Sequence, residues 1–284
     1  MSNMVVRTNV FALNAHRNMK NVGLEQGRAS ARLASGFRIN SAADDAAGLA
    51  ISETMRAQIR GLDQASRNSQ DGQALIQTAE GGMNEITNML QRMRELTVQA
   101  ANDTNVSTNR GQISIEIRQL RDEINAMAGR VEFNTRTLLN GGAIETTGLQ
   151  FQVGANSSQN ITVTIGSVTT ANLGINNMWA MDAATAPAKT HSEISGDLDV
   201  IQAALDKVAD NRARLGAVSN RLDFTMRSLD ISSENLSDAE SRVRNADMAR
   251  EMMRFTMANV LQQSSVSMLA QANQLPNNLL QLLR

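Results

Sequence analysis

Cysteine and tyrosine are absent from this 284-residue chain, proline occurs twice, and aromatic residues make up only 2% of it. Without cysteine the chain can form no disulfide, thiolate nucleophile or cysteine-ligated metal site. Because aromatic side chains are so scarce, a thick globular core is not expected. The apolar residues are chiefly Ala, Leu, Ile, Val and Met, which suit thin layers of long helices.

A strong charge of either sign is also missing, since the formal net charge is -1. The chain therefore has no electrostatic field that would draw nucleic acid or an anionic membrane. Polar residues interrupt the N-terminal stretch MSNMVVRTNVFALNAHRNMK every few positions. Neither a cleaved signal peptide nor a membrane-spanning helix fits it, so any export must use another route.

Helical periodicity is the main positive signal. Apolar residues recur three and four apart within residues 11–33, 55–93 and 113–131, which predicts three long helices. Gly36 offers a left-handed stop after the first helix, and residues 102–105 (NDTN) predict a turn after the second. The third run has the cleanest periodicity, and Asn140, Gly141 and Gly142 are expected to break it.

The periodicity changes in the middle of the chain and then returns. Leu149, Phe151 and Val153 alternate with polar residues, and a second alternating segment follows the turn-rich GANSSQN, so a β-hairpin is predicted near residues 148–166. From residue 194 to 243 one helical register covers about fifty residues, or roughly 75 Å of helix. A last apolar segment leads to the tail NNLLQLLR.

This order of helices, hairpin and helices lets the two chain ends lie side by side. We therefore predict a mainly α fold, in which both chain ends form a long helical coiled coil or bundle rod and a small β-hairpin region lies in the middle. Isolated helices are marginal in water, so neither terminal helix should stay folded without a partner.

Candidate catalytic and metal sites are weak. Asp44 and Asp45 are adjacent on a predicted helix and project about 100° apart, so they cannot readily share a reacting atom. The spacing of Ser41 and Asp44 instead matches a helix-capping box. His16 and His191 lie in no H-E-x-x-H helix, and the glycine pairs lack the context of a phosphate loop. We expect no enzyme activity, catalytic residue, metal or cofactor.

Periodicity alone assigns ordinary structural roles to two further features. The sixteen methionines lie mostly on apolar stripes, so core filling is the expected role. The segment QRMRELTVQ, residues 91–99, places Arg92, Arg94 and Glu95 opposite an apolar side that includes Met93, and such a charged face is usually solvated.

The chain closely resembles the bacterial flagellins in both halves. The N-terminal half carries VVRTNVFALNAHRNMK, LASGFRINSAADDAAGLAISETMRAQIRG, QRMRELTVQAAN, EFNTRTLLNGG and FQVGAN, and the C-terminal half carries RLGAVSNRLD, SDAESRVRNADMAREM and LLQLLR. The stretch 167–191, where many flagellins insert outer domains, resembles nothing particular. The resemblance is thus to a short flagellin that has only the core.

This resemblance implies a domain layout and a function. Residues 1–42 would pair with 243–284 as an inner coiled-coil domain that is disordered in the monomer, and residues 43–242 would form a helical rod without outer domains. The subunit would leave the cell through the flagellar type III export channel and polymerise into an extracellular filament for swimming. Its partners would be copies of itself, a flagellar export chaperone, and the cap and hook-junction proteins.

The resemblance also suggests binding residues. Filament packing is expected of an apolar set formed by the terminal stripes and the tail: Phe11, Met19, Leu33, Met257, Met268, Leu279, Leu280, Leu282 and Leu283. Matching to the segment of enteric flagellins that a host Toll-like receptor reads implies receptor contacts by Arg92, Leu96 and Glu116, the last on the following helix.

Three alternatives stay open at this stage. A hook-filament junction protein shares the terminal motifs but diverges in the rod. A cytosolic helical signalling hairpin would show similar heptads but not NSAADDAAGLAI together with SDAESRVRNADMA. An enzymatic flagellin with a protease insert would need both the insert and an H-E-x-x-H motif.

Overall fold

The structure is a computed structural model that describes residues 8–176, Met178 and residues 191–282, without the side chains beyond residue 274. The described chain is mainly helical, as predicted. The helices are α1 (Val10–Ser35), α2 (Ala46–Ala101), α3 (Ser107–Arg130), α4 (Ala143–Thr146), α5 (Thr170–Leu173), α6 (His191–Arg244) and α7 (Met248–Leu282). The strands are β1 (Glu132–Phe133), β2 (Arg136–Thr137), β3 (Leu149–Gln152) and β4 (Asn160–Val163).

The chain divides into two units. The terminal unit holds the residues up to Ala57 and those from Asn235 onward, and the central unit is Gln58–Glu234. These boundaries lie inside α2 and α6, whereas the sequence placed the division after residue 42 and before residue 243. Both helices continue across the boundary without a turn, so no sequence signal marks it.

In the central unit, α2, α3 and α6 share one hydrophobic core. The buried residues of α6 recur every seven positions from Ile194 through Ile201 and Val208 to Leu229. The largest fully buried side chains of the unit are aliphatic or methionine: Ile76, Met83, Ile86, Leu90, Met93, Leu96, Ile117, Ile124, Leu138 and Leu139. This composition explains how so few aromatic residues suffice, because unbranched and β-branched side chains fill a thin helical layer well.

The predicted hairpin is present as the antiparallel pair β3 and β4. Leu149 lies opposite Val163, and Phe151 lies opposite Ile161. A Cβ built on Gly72 of α2 would be 3.2 Å from the ring of Phe151, so the glycine allows the hairpin to lie close to the helix.

A second, shorter hairpin was not predicted. The third helix ends at Arg130, and β1 and β2 pair across a turn in which Asn134 and Thr135 both have positive φ, 48° and 64°. Two such residues form the tight turn that matches the twist of paired strands. The sequence lacked a glycine in this turn, so the usual signal was absent.

In the terminal unit, α1 and α7 are antiparallel. Hydrogen bonds join Asn9 to Ala272, Gln26 to Asn259 and Arg32 to Glu251. The partner's residue number falls as the number along α1 rises, as expected of an antiparallel pair. The helix α1 ends as predicted at Gly36, whose φ is 75° and whose N–H donates to the Arg32 carbonyl.

Candidate functional site

Small and polar residues line the interface between α1 and α7. Ala29 of α1 and Ala258 and Ala272 of α7 are buried, and the two helices approach within 8 Å between Cα atoms. The Gln26 side-chain amide donates to Asn259 Oδ1 at 2.5 Å. Such close packing buries little apolar surface per residue, so this interface gains less from the hydrophobic effect than a leucine-rich one would.

A buried carboxylate lies in the same interface. Glu251 is 4% exposed and is bound by Arg32 at 3.5 Å and by Arg254 at 2.8 Å. Its Oε2 has no hydrogen-bond partner within the described part of the chain, nor has Oε1 of Gln262. Both arginines bind Oε1, so the desolvation of Oε2 without a hydrogen bond offsets part of the stabilisation from these ion pairs.

Phe255 and Leu269 of α7 are half-buried, but most of the large apolar side chains of α7 are exposed. The exposed set is Met248, Met252, Met253, Met257, Val260, Leu261, Val266 and Met268 on α7, with Val10, Phe11, Leu13 and Leu24 on α1. Many exposed large apolar side chains on one helix pair are typical of a protein that binds another protein. The expectation that methionine fills the core is correct for Met83 and Met93 but wrong for the exposed methionines of α7.

The predicted packing residues are therefore in different environments. Phe11 is 70% exposed and both Met257 and Met268 are exposed, while Met19 and Leu33 are half-buried. Phe11 thus lies outside the face of α1 that contacts α7, although its spacing placed it in the same stripe. Within the tail, Leu279, Leu280, Leu282 and Leu283 are outside the residues whose side chains the structure describes.

The predicted cap at Ser41 and Asp44 is wrong in position. Helix α2 begins at Ala46, and the side chain of Asp45 accepts from the Gly48 N–H at 2.9 Å. Asp44 Oδ2 instead accepts from the N–H groups of Ser41 and Asn40 at 3.1 and 3.2 Å, within a turn before the helix. The backbone hydrogen bond from Ser41 is the main reason that the pKa of Asp44 is lowered. Both acids are structural.

Arg92 and Glu116 meet on the surface of the central unit. Arg92 donates to Glu116 Oε1 from Nη2 at 2.9 Å and from Nε at 3.0 Å, and it donates to Glu95 Oε2 at 3.1 Å. The hydrogen bond to Glu116 is the main reason that the pKa of Arg92 is raised. The structure thus brings together Arg92 and Glu116, two of the three residues that the resemblance singled out.

Leu96 does not belong to this exposed group. It is only 2% exposed and packs in the central core, because its position on α2 faces α3 and α6 rather than solvent. Arg92 and Glu116 therefore form a charged pair on the surface, while Leu96 lies in the core and adds no exposed apolar area to it.

The remaining polar groups form no reactive cluster in the described ranges. Residues 8–176, 178 and 191–282 contain no group of three or more His, Asp or Glu that could hold a metal. Nδ1 of His191 lies 2.8 Å from the Ala101 carbonyl oxygen, at the end of α2. None of the described helices is both long enough and apolar enough to cross a membrane.

Comparison with known proteins gives consistent matches over nearly the whole chain. The profile of the bacterial flagellin N-terminal helical region matches residues 6–143, and that of the C-terminal helical region matches residues 198–283. A flagellin of Halalkalibacterium halodurans is 50% identical over 282 residues, which covers 99% of this chain and all of that protein.

A second flagellin and one solved structure are also similar to the chain. A flagellin of Bacillus subtilis is 45% identical over 305 residues, which again covers 99% of this chain and all of the relative. The crystal structure of Bacillus cereus flagellin is 29% identical, with a TM-score of 0.47, and covers 57% of this chain and 88% of that one.

Proposed function

This chain belongs to the bacterial flagellin family and is a structural subunit of the extracellular flagellar filament, and from that premise we propose how it assembles. The arms that carry α1 and α7 are largely disordered in the free subunit, and they adopt the helix pair described above as subunits stack. The exposed apolar face of α7 then packs against neighbouring subunits. The junction-protein and signalling alternatives are not favoured by the full-length similarity to flagellins.

The single observation that carries this proposal is the distribution of apolar side chains in the terminal unit. The buried residues of the contact between α1 and α7 are alanines and Glu251, and its larger apolar residues are only half-buried, whereas Met253 and Met257 are exposed. A helix pair arranged in this way gains most of its burial from other molecules. Because each subunit offers different surfaces to successive neighbours, the contacts are open-ended and generate a filament.

Polymerisation of a charged variant tests this role of α7. Met257→Asp should prevent elongation from filament seeds, because burying an unpaired carboxylate in an apolar contact costs several kcal/mol. Met257→Leu, which keeps an apolar side chain of similar volume, is the matched control and should polymerise. Sedimentation and negative-stain microscopy measure both. Normal filaments from Met257→Asp would refute packing through this face.

We also propose the partners and the route that bring the subunit to the filament. The chain leaves through the flagellar type III export channel, bound beforehand by an export chaperone, and is added between the hook-junction and cap proteins. Membership in the family supports this sequence of steps. Loss of the chain from the culture medium when the flagellar export apparatus is inactivated would be the expected result, and undiminished release would contradict it.

A host Toll-like receptor that senses flagellin is a further proposed partner of the monomer. The half-exposed Arg92 and Glu116, with Glu95 beside Arg92, supply a preformed charged cluster on adjacent helices that a receptor of complementary charge binds. Leu96 holds the helix beneath the pair and does not touch the receptor, because it is buried. In the filament the pair is covered, so only the monomer binds.

Removal of Arg92 tests the receptor proposal. Arg92→Ala should weaken binding of the monomer to the receptor ectodomain by about 1 to 3 kcal/mol, the range of an interface anchor. Arg94→Ala is the matched control, since it removes the same charge from another face of α2 and should leave affinity nearly unchanged. Equal affinities of wild type and Arg92→Ala in a titration would refute the proposed contact.

A further inference from the structure

The described methionines range from exposed to fully buried. On α7, Met248, Met252, Met253, Met257 and Met268 are each at least 47% exposed. In the core of the central unit, by contrast, Met83 and Met93 are 0% exposed. One chain therefore carries accessible thioethers on its proposed assembly surface and shielded thioethers elsewhere.

Exposure matters because a thioether is the most readily oxidised group in a chain without cysteine. A methionine sulfoxide is polar and chiral, so it no longer suits an apolar contact. Buried sulfur atoms react slowly because an oxidant must reach the lone pair. The oxidant should thus modify the outer face of α7 before it modifies the core.

We propose that Met252, Met253 and Met257 form a reversible oxidation site that controls whether a free subunit can join the filament. This inference rests on the proposed packing of α7. The three side chains line one shallow depression together with Thr256 and Val260. Met253 and Met257 are four residues apart and so lie on the same face of the helix, where two sulfoxides would place polar oxygens side by side.

The reaction needs only a peroxide as co-reactant. The sulfur lone pair attacks one peroxide oxygen, the O–O bond breaks, and that oxygen stays on sulfur as the sulfoxide. The other oxygen takes up the transferred proton and leaves as water. Sulfur loses two electrons and the peroxide gains them. Methionine sulfoxide reductases, one for each sulfoxide epimer, reverse the change: a dithiol supplies two electrons and two protons, is oxidised to a disulfide, and the oxygen leaves as water.

The two states of the protein differ in susceptibility. In the free subunit the three thioethers face solvent, whereas the packing proposed above covers them in the filament. Peroxide should therefore inactivate subunits that have not yet assembled and leave assembled filaments largely intact. The site makes elongation, rather than the existing filament, sensitive to an oxidising environment.

Peroxide treatment of purified full-length monomer, quenched with catalase, tests the inference. Peptide mass spectrometry should show oxidation at Met253 and Met257 about tenfold or more faster than at Met83 and Met93. Seeded polymerisation of the oxidised wild type should fall by about tenfold, and treatment with both sulfoxide reductases should restore it. The variant Met252→Leu/Met253→Leu/Met257→Leu should polymerise equally well before and after peroxide.

The outcomes separate this inference from the packing proposal. Untreated wild type that fails to elongate seeds, or Met257→Asp that elongates them normally, would refute the packing. Normal elongation by wild type that carries sulfoxides at all three positions would overturn the oxidation site alone. If the untreated triple variant does not polymerise, the reductases provide the test: failure to restore polymerisation of oxidised wild type would also overturn the oxidation site.

Discussion

The isoleucines of α3 provide a direct test of how the central unit is held together. Ile117 is 0% exposed in the core formed with α2 and α6, whereas Ile115, two residues earlier on the same helix, is 49% exposed. The substitution Ile117→Ala removes three buried carbons and leaves a cavity. Such substitutions lower the free energy of unfolding by about 2 to 5 kcal/mol. For a unit of this size, each kcal/mol lowers Tm by roughly 2 to 4 °C.

Ile117→Ala should thus lower the melting temperature by roughly 6 to 12 °C if the cost is about 3 kcal/mol. Ile115→Ala makes the same chemical change on the same helix and should alter stability by no more than about 0.5 kcal/mol. Circular dichroism at 222 nm during heating of the monomer measures both. Equal shifts in the two variants would refute the assigned orientation of α3, and so would a negligible shift in Ile117→Ala.

The remaining predictions concern the ends of the chain. Limited proteolysis of the monomer should leave a resistant core of residues 45–240, and equal protection in monomer and filament would contradict folding on assembly. Leu280→Asp together with Leu283→Asp should block polymerisation but keep the helicity of the central unit, and normal filaments from that double variant would contradict a packing role for the tail. The pKa of Asp44 is lowered in the folded state, so its carboxylate stabilises the fold above its unfolded pKa, and this contribution is lost as pH falls through the folded value. Wild-type filaments should therefore be more stable than Asp44→Asn filaments by a constant amount near neutral pH, and this stability difference should vanish in acid. A stability difference that persists in strong acid would contradict the assigned role of Asp44.

The positions of the helices followed from local patterns. Apolar residues three and four apart and the stop at Gly36 are properties of neighbouring residues, and α1, α2 and α6 agree with them. The hairpin of β3 and β4 followed from alternation in the same way. The hairpin of β1 and β2 did not, because two-residue strands have no period to detect.

Capping and surface assignments depended on finer geometry. Asp44 and Asp45 are equally suited to begin a helix by residue type, and only the hydrogen bond to the Gly48 N–H shows that Asp45 does so. The resemblance named Arg92, Leu96 and Glu116 together, but only the structure shows that Arg92 and Glu116 are paired and that Leu96 is buried. A single residue position turns a side chain by about 100° around a helix, which is enough to move it from the surface to the core.

The sequence by itself determined which residues share a helical face, and through its motifs it determined the family. Only the tertiary structure decided what each face meets. Met83 and Met257 have similar apolar neighbours at similar spacing, yet one is fully buried among three helices and the other is exposed on α7. The reason is physical: periodicity records the side of a helix on which a residue lies, whereas burial depends on whether another helix of the same chain covers that side.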